Sequence, residues 1–237
     1  MNSKYSNFLT IILILVIVAI IGIIGFLGFK YYQSYVVKDS SEEFVDAFGD
    51  QTQNKPNKNN GTSVIPPVND DNSNEDTGNM FEGVEGGTNN STGSSSSSKN
   101  RPKYNGFYTS GTIEIPAINL KSPVLARDEY SPKALETAVV ELYGPGLNKV
   151  GITTISGHNY RNGTFFSNNK KLNIGDKIFI TDLTGKRLSY TIYDKFEAEE
   201  NYSDYMVKDT QGAIEVALST CTDDAKARII ILARADV

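Results

Sequence analysis

Histidine and cysteine occur once each, as His158 and Cys221, in a chain of 237 residues, and tryptophan does not occur at all. A single cysteine excludes an intramolecular disulfide, and in an exported protein it leaves a free thiol to explain. One histidine and one cysteine are too few for a zinc centre built on clusters of those residues. Positive charge is not in excess either: 23 Lys and Arg stand against 28 Asp and Glu, for a net charge of −5. That balance gives no electrostatic basis for nucleic-acid binding. Hydrophobic residues make up an ordinary 39%, but they are unevenly spread, and one stretch holds a long unbroken run.

That run extends from Phe8 to Phe29, FLTIILILVIVAIIGIIGFLGF, with Thr10 its only polar side chain. Roughly 20 apolar residues suffice to cross a bilayer core as a helix. A cleaved secretory signal is the rival reading, but signal h-regions run roughly 7–15 residues and end at a small-residue cleavage site. Here the run passes into Lys30-Tyr31-Tyr32, an interfacial anchor. Residues 8–29 therefore read as an uncleaved transmembrane helix. Lys4 before the span and Lys30 and Lys38 after it do not fix orientation by charge. The short N-terminus and the large C-terminal part favour residues 1–7 in the cytoplasm and the remainder outside.

Residues 30–103 read as a juxtamembrane segment and a disordered polar linker. Ser40 to Phe48 is suited to a short helix, and from about Asp50 the chain is dominated by Asn, Ser, Gly and Asp, with a serine run from Ser94 to Ser98. A flexible coil of ~50 residues has an r.m.s. reach of about 40 Å, enough to carry a domain off the membrane. Residues 104–237 are sufficient for one core. Their pattern is mainly β, with candidate strands over Thr112–Ile115, Ala138–Leu142, Gly151–Ser156, Lys177–Asp182, Arg187–Tyr193, Ala213–Ser219 and Arg228–Ala233. Leu183-Thr184-Gly185-Lys186 marks a hairpin turn. Ser131-Pro132 marks a helix start covering Pro132 to Glu136. Many short strands with one or two short helices predict a closed or nearly closed β-barrel.

Cys221 ends the apolar strand IEVALST before the polar loop TDDAKA, where a strand fixes the backbone and a loop leaves the sulfur accessible. A small buried hydrophobe is the competing role. His158 follows the strand GITTIS and opens a polar loop, a position for an acid and base near neutral pH or for a surface histidine. Arg228 opens the last strand, RIIILAR, seven residues after Cys221; from there it can face the sulfur and supply donors to a developing oxyanion, or simply lie at the surface. Arg234 shares its side of the strand by period two.

Leu218-Ser219-Thr220-Cys221 with an arginine opening the next strand resembles the sortase signature. Gly157-His158-Asn159 with the following Arg-Asn-Gly-Thr-Phe-Phe resembles the sortase histidine loop, and Thr112 to Ile118 resembles the first barrel strand. The ordered set spans nearly all of 104–237. The resemblance implies an eight-stranded sortase β-barrel, with Cys221 as nucleophile, His158 as general acid and base and Arg228 as stabiliser of substrate or oxyanion. Thr220 matches the threonine before the cysteine, which either helps hold substrate or packs within the strand. No metal or organic cofactor is implied. The implied partners are surface proteins bearing an LPXTG-like sorting signal, and an acceptor amine from a peptidoglycan cross-bridge or a pilin, in the cell-wall setting of a Gram-positive bacterium. The Cys221-to-Arg228 loop is short for the family, the RIIILAR strand looks like class B, and Lys171 to Asp176 looks more like class A or D.

Two other functions fit parts of the sequence. A tethered, non-enzymatic surface β-domain would leave Cys221 inert. A plain cysteine hydrolase would use water as acceptor, although papain-like chains place Cys before His, the reverse of the order here.

Overall fold

The structure, a computed structural model, describes residues 3–53 and 101–237. The serine- and asparagine-rich segment 54–100, the bulk of the expected linker, lies outside the described residues. Helix α1 runs unbroken over Ser3–Gln53. The side chains of its apolar stretch from Ile11 to Phe29 are exposed, and among the described residues it is the one helix long and apolar enough to cross a membrane. The short helix expected at Ser40–Phe48 is a part of α1. Nothing in SYVVKDSSEEF breaks a helix, so the element that leaves the apolar span continues into it.

The β-domain is built from β1 (Lys103–Tyr104), β2 (Phe107–Ile115), β3 (Leu120–Leu125), β4 (Val139–Tyr143), β5 (Gly151–Ser156), β6 (Lys177–Asp182), β7 (Arg187–Glu199), β8 (Ile214–Cys221) and β9 (Ala227–Ala235). Their order in the sheet is β1-β2-β3-β4-β5-β8-β9-β7-β6, and β2 also pairs with β6. With the two-residue β1 set aside, β2 to β9 form a closed eight-stranded barrel: the strand pattern predicted a closed or nearly closed barrel, and the family resemblance implied its eight strands. The one α-helix in the barrel, α2 (Pro132–Thr137), begins where Ser131 Oγ accepts from the Ala134 amide at 3.2 Å. It provides the crossover between the parallel strands β3 and β4.

Two strands were not predicted. In β3 a proline demotes LKSPVL as a strand. The barrel accommodates it because Pro123 faces Thr112 of β2, while β4 joins only from Val124 onward. The other, β1, is too short for any periodicity. Strand β7 runs six residues past the predicted Tyr193, to Glu199, because it stays paired with β9 from Tyr190 to Glu199.

Alternation on β8 and β9 sorts their side chains into two layers. Val216, Leu218, Ile229, Ile231 and Ala233 point into the main core with Ile113, Ile155 and Tyr190. Ala217, Ile230 and Leu232 point outward, where Tyr205 and Met206 from the loop after β7 cover them. The outer layer therefore forms rungs across the paired strands. Glu215 faces Arg234, Ala217 faces Leu232, Ser219 faces Ile230, and Cys221 faces Arg228. The first rung is an ion cluster around a buried carboxylate. Glu215 accepts from Arg234 Nη2 at 2.8 Å, Lys208 Nζ at 2.8 Å and Tyr193 Oη at 2.8 Å. Burial pushes its carboxyl up, but Lys208, Arg234 and Tyr193 together hold it below the ordinary carboxylate range. Arg234 shares the side of Arg228, as expected, but is committed to Glu215.

Candidate active site

The last rung carries the chemistry. Cys221 is partly exposed, and Arg228 Nη1 lies 3.0 Å from its Sγ. The contact follows from the hairpin: β8 and β9 pair through Cys221↔Arg228, and directly opposed residues of an antiparallel pair share a face. The other nitrogen of the guanidinium, Nη2, donates to Glu200 Oε1 at 3.0 Å. Tyr205 lies beside this rung. Its phenol is pushed up by burial, against the Ser219 hydrogen bond and the Arg228 charge, which act in the opposite sense. An accessible thiol held by a cation differs from the inert buried cysteine of a purely structural domain.

His158 arrives from the neighbouring strand. Strands β5 and β8 are parallel and in register, ending at Ser156↔Ser219, and the Gly157 amide donates to Ser219 O at 3.1 Å. His158 and Cys221 are each two residues beyond that last pair. His158 therefore opens its loop beside the end of β8, at the level where Cys221 is still paired with Arg228. The histidine loop then closes on itself through Phe166 N donating to His158 O at 3.2 Å. The His158 ring stands against Tyr160, with centroids 4.9 Å apart, and Tyr160 against Phe165 at 5.7 Å. Gly157 at the root of the loop is required by space: a Cβ there would lie 2.8 Å from Val139 Cγ1 and 2.9 Å from Phe166 Cδ2.

Sequence reasoning missed a clasp between the two loops. Asn159 Nδ2 donates to the backbone carbonyl of Cys221 at 3.0 Å and to Asp223 Oδ1 at 3.0 Å. Lys170 pairs with the other Asp223 oxygen. Lys170 first, and then Asn159, hold the Asp223 carboxyl below its ordinary range. The position of Asn159 next to the histidine was visible, but its partner is 62 positions away.

The structure brings Cys221, His158 and Arg228 to one pole of the barrel. It does not bring the Thr220 side chain to the outer face of that pole. Thr220 is 1% exposed, on the opposite side of β8 from Cys221, and its Oγ1 is buried without a hydrogen-bond partner among the described residues. Among the described residues no cluster of His, Cys, Asp and Glu is suited to hold a metal ion.

A closed barrel that presents a thiol, a guanidinium opposite it on the same rung and a histidine from the next strand end has the layout of a cysteine acyl-transfer enzyme. A family model described as the Sortase domain matches residues 113–236, just over half of the chain. The chain belongs to the sortase family and is a cysteine transpeptidase of that general kind. No curated protein matches it in sequence. Among solved structures it is similar to a lid mutant of sortase A from Corynebacterium diphtheriae, at 23% identity and a TM-score of 0.51, covering 59% of this chain and 73% of that one. It is also similar to sortase C-1 from Actinomyces oris (24%, TM-score 0.49, 54% and 71% covered). A third neighbour is the sortase D5 transpeptidase of Clostridium perfringens (25%, TM-score 0.49, 55% and 80% covered).

Proposed function

We propose that this chain is a membrane-anchored transpeptidase whose barrel, residues 104–237, lies outside the cytoplasm on the anchor 8–29. In this reading the thiolate of Cys221 attacks a peptide carbonyl in an LPXTG-like sorting signal. Arg228 donates to the oxyanion of the tetrahedral intermediate, and protonated His158 delivers its proton to the leaving amine. The C–N bond breaks and a thioacyl enzyme remains. An acceptor amine of a cell-wall cross-bridge or a pilin then attacks, with His158 taking its proton, and Cys221 leaves as thiolate. Thr220 enters through strand packing beneath the cysteine, the second of the two roles open to it. The observation that supports this reading most directly is the 3.0 Å contact between Arg228 Nη1 and Cys221 Sγ.

The reaction is tested on the full chain in detergent, with a library of sorting peptides and candidate amines and with mass spectrometry of the products. The expected result is a peptide–amine adduct at one signal, with the hydrolysed acid forming only when amine is omitted. Intact peptides throughout the library would sink the reading. Acid as the sole product at saturating amine would assign the chain to the hydrolases.

Asn159 is expected to act as a positioning residue, because its amide fixes the carbonyl of the nucleophile itself. Asn159→Ala should lower kcat/KM about tenfold, the cost of one lost polar contact of ~1.4 kcal/mol, with the change in kcat and not in KM. Asn159→Asp should fall at least as far, because a carboxylate cannot donate to Cys221 O and would face Asp223. Steady-state kinetics of both variants check this, and parental values for both would remove Asn159 from the mechanism.

A further inference from the structure

The second half of α1 is not free of the barrel. Ser41, Val45 and Phe48 are buried, with Val37 and Phe44 partly so, a stripe at helical spacing. It lies on the wall formed by β1, β2 and β3. Tyr104 Oη meets Ser40 Oγ at 2.9 Å and Ser41 Oγ at 3.1 Å, and the Phe44 ring stands edge-on to the Tyr104 ring at 5.4 Å. Lys121 Nζ pairs with Asp46 at 2.6 Å. Nearer the apolar stretch, Ser34 Oγ donates to Asn162 O, in the histidine loop, at 3.3 Å. A cleft of about 840 Å³ separates helix and loop there, lined by Lys30, Tyr31 and Lys38 on one side and Asn119, Tyr160 and Asn162 on the other.

These contacts fix a height. Because α1 has no break, the docked stripe and the apolar run share one axis. At 1.5 Å per residue, Ser34 lies about 7.5 Å beyond Phe29, and Asp46 about 25 Å beyond it. A barrel held at both points lies alongside the emerging helix, with its histidine loop near the end of the apolar run. The residues at that level suit a bilayer surface: Tyr31, Tyr32 and Tyr35 are exposed beside Lys30, and Tyr160 of the loop is exposed too. The chain from Gln53 to Arg101 tethers the barrel to the helix, so docking is intramolecular and needs only modest intrinsic affinity.

We propose that residues 37–48 of α1 seat the barrel on the membrane, with the histidine loop against the lipid headgroup layer. The site then acts on substrates at the bilayer surface and not at the ~40 Å reach of a free coil. The proposal rests on the membrane-anchor reading of residues 8–29 and is independent of the transpeptidase chemistry.

The test uses the full chain carrying Cys221→Ser, so that a single new cysteine takes a fluorophore, in nanodiscs containing lipids with nitroxide headgroups. One label goes on Arg161→Cys in the histidine loop. The other goes on Leu183→Cys in the β6–β7 turn, at the opposite end of β7, whose 13 residues span about 43 Å. Quenching at 161 is expected to exceed that at 183 at least threefold. In Phe44→Asp/Val45→Asp, which places two charges in the docking stripe, quenching at 161 should drop to the level seen at 183. Equal quenching at the two positions in the parent overturns the proposal, as does strong quenching at 161 that persists in the double variant. If the double variant does not fold, the parent comparison decides alone. A chain that does not co-float with lipid vesicles would overturn the anchor reading and this proposal together. Neither readout depends on turnover, so failure of the chemistry leaves the result standing.

Discussion

Cys221→Ala removes cleavage of a sorting peptide altogether: kcat/KM is expected to fall by a factor of at least ~10³–10⁴, to the level of the peptide alone, and no thioacyl adduct accumulates. The size of the effect follows from the role. Without a sulfur the first step has no nucleophile, and the remaining groups can only polarise the carbonyl and supply a proton. Cys221→Ser tests the same point from another side. It keeps the shape of the rung, but an alcohol at neutral pH is a far weaker nucleophile than a thiolate, so its activity should stay within about tenfold of the alanine variant. Neither change should weaken the fold much. Cys221 is only partly buried at a strand end, and its neighbours on the core side, Thr220 and Leu218, are untouched. Intact-protein mass spectrometry of peptide-treated enzyme reads the adduct, and thermal melting reads the fold. Parental cleavage by the alanine variant would end the assignment of Cys221 as nucleophile and return the chain to a tethered binding domain.

Much of this site was legible before the fold was known, and the reason is arithmetic on strands. Arg228 follows Cys221 by seven positions, which is the right span for a hairpin to place them opposite each other, and they are paired. His158 was legible as a strand-end residue, and its loop could meet that of Cys221 on one rim of a barrel, but periodicity did not place the two strands side by side. That relation depends on β5 and β8 being parallel partners although β6 and β7 intervene in sequence, and periodicity carries no information about such a crossover. The orientation of Thr220 was readable in principle, since alternation puts it on the face opposite Cys221. Which face was the interior became clear only with the packing of Leu218 and Val216. Strand β3 was hidden by Pro123, whose missing donor matters only where a strand has neighbours on both sides. The length of α1 was hidden differently. Residues 30–53 look like ordinary polar helix or coil, and the stripe Val37, Ser41, Phe44, Val45, Phe48 becomes meaningful only beside Tyr104, whose own strand is two residues long. Glu200 was also out of reach, because its contact with Arg228 comes from a loop with no repeating pattern.

Arg228 supports the sharpest test of whether geometry or charge alone serves the thiol. Its guanidinium divides its donors, Nη1 to Cys221 Sγ at 3.0 Å and Nη2 to Glu200 Oε1 at 3.0 Å. The planar fork fixes the direction of the first by means of the second. A lysine would keep the charge but lose the fork, since an ammonium on a flexible stem has no second donor at that angle. Arg228→Lys is therefore expected to lose about 10²–10³ in kcat, comparable to removing one oxyanion donor, and Arg228→Ala to lose at least as much. Binding of the sorting peptide should change much less, because the donor is needed most where charge develops on the carbonyl oxygen. Stability should barely move. The Glu200 carboxylate is 74% exposed, and such ion pairs contribute about 0–1 kcal/mol, while Ile229 and Ile231 keep β9 in the core. The discriminating measurement is kcat and KM beside the melting temperature for both variants. A lysine variant with parental kcat would show that a point charge suffices and that the pairing with Glu200 has no part in catalysis. A loss of kcat matched by a collapse in melting temperature would reduce Arg228 to a structural residue at the end of β9. The expected pattern, a large loss in kcat on an intact barrel, places the guanidinium on the reacting atoms and makes the Cys221–Arg228 rung the place where the β8–β9 hairpin becomes a catalyst.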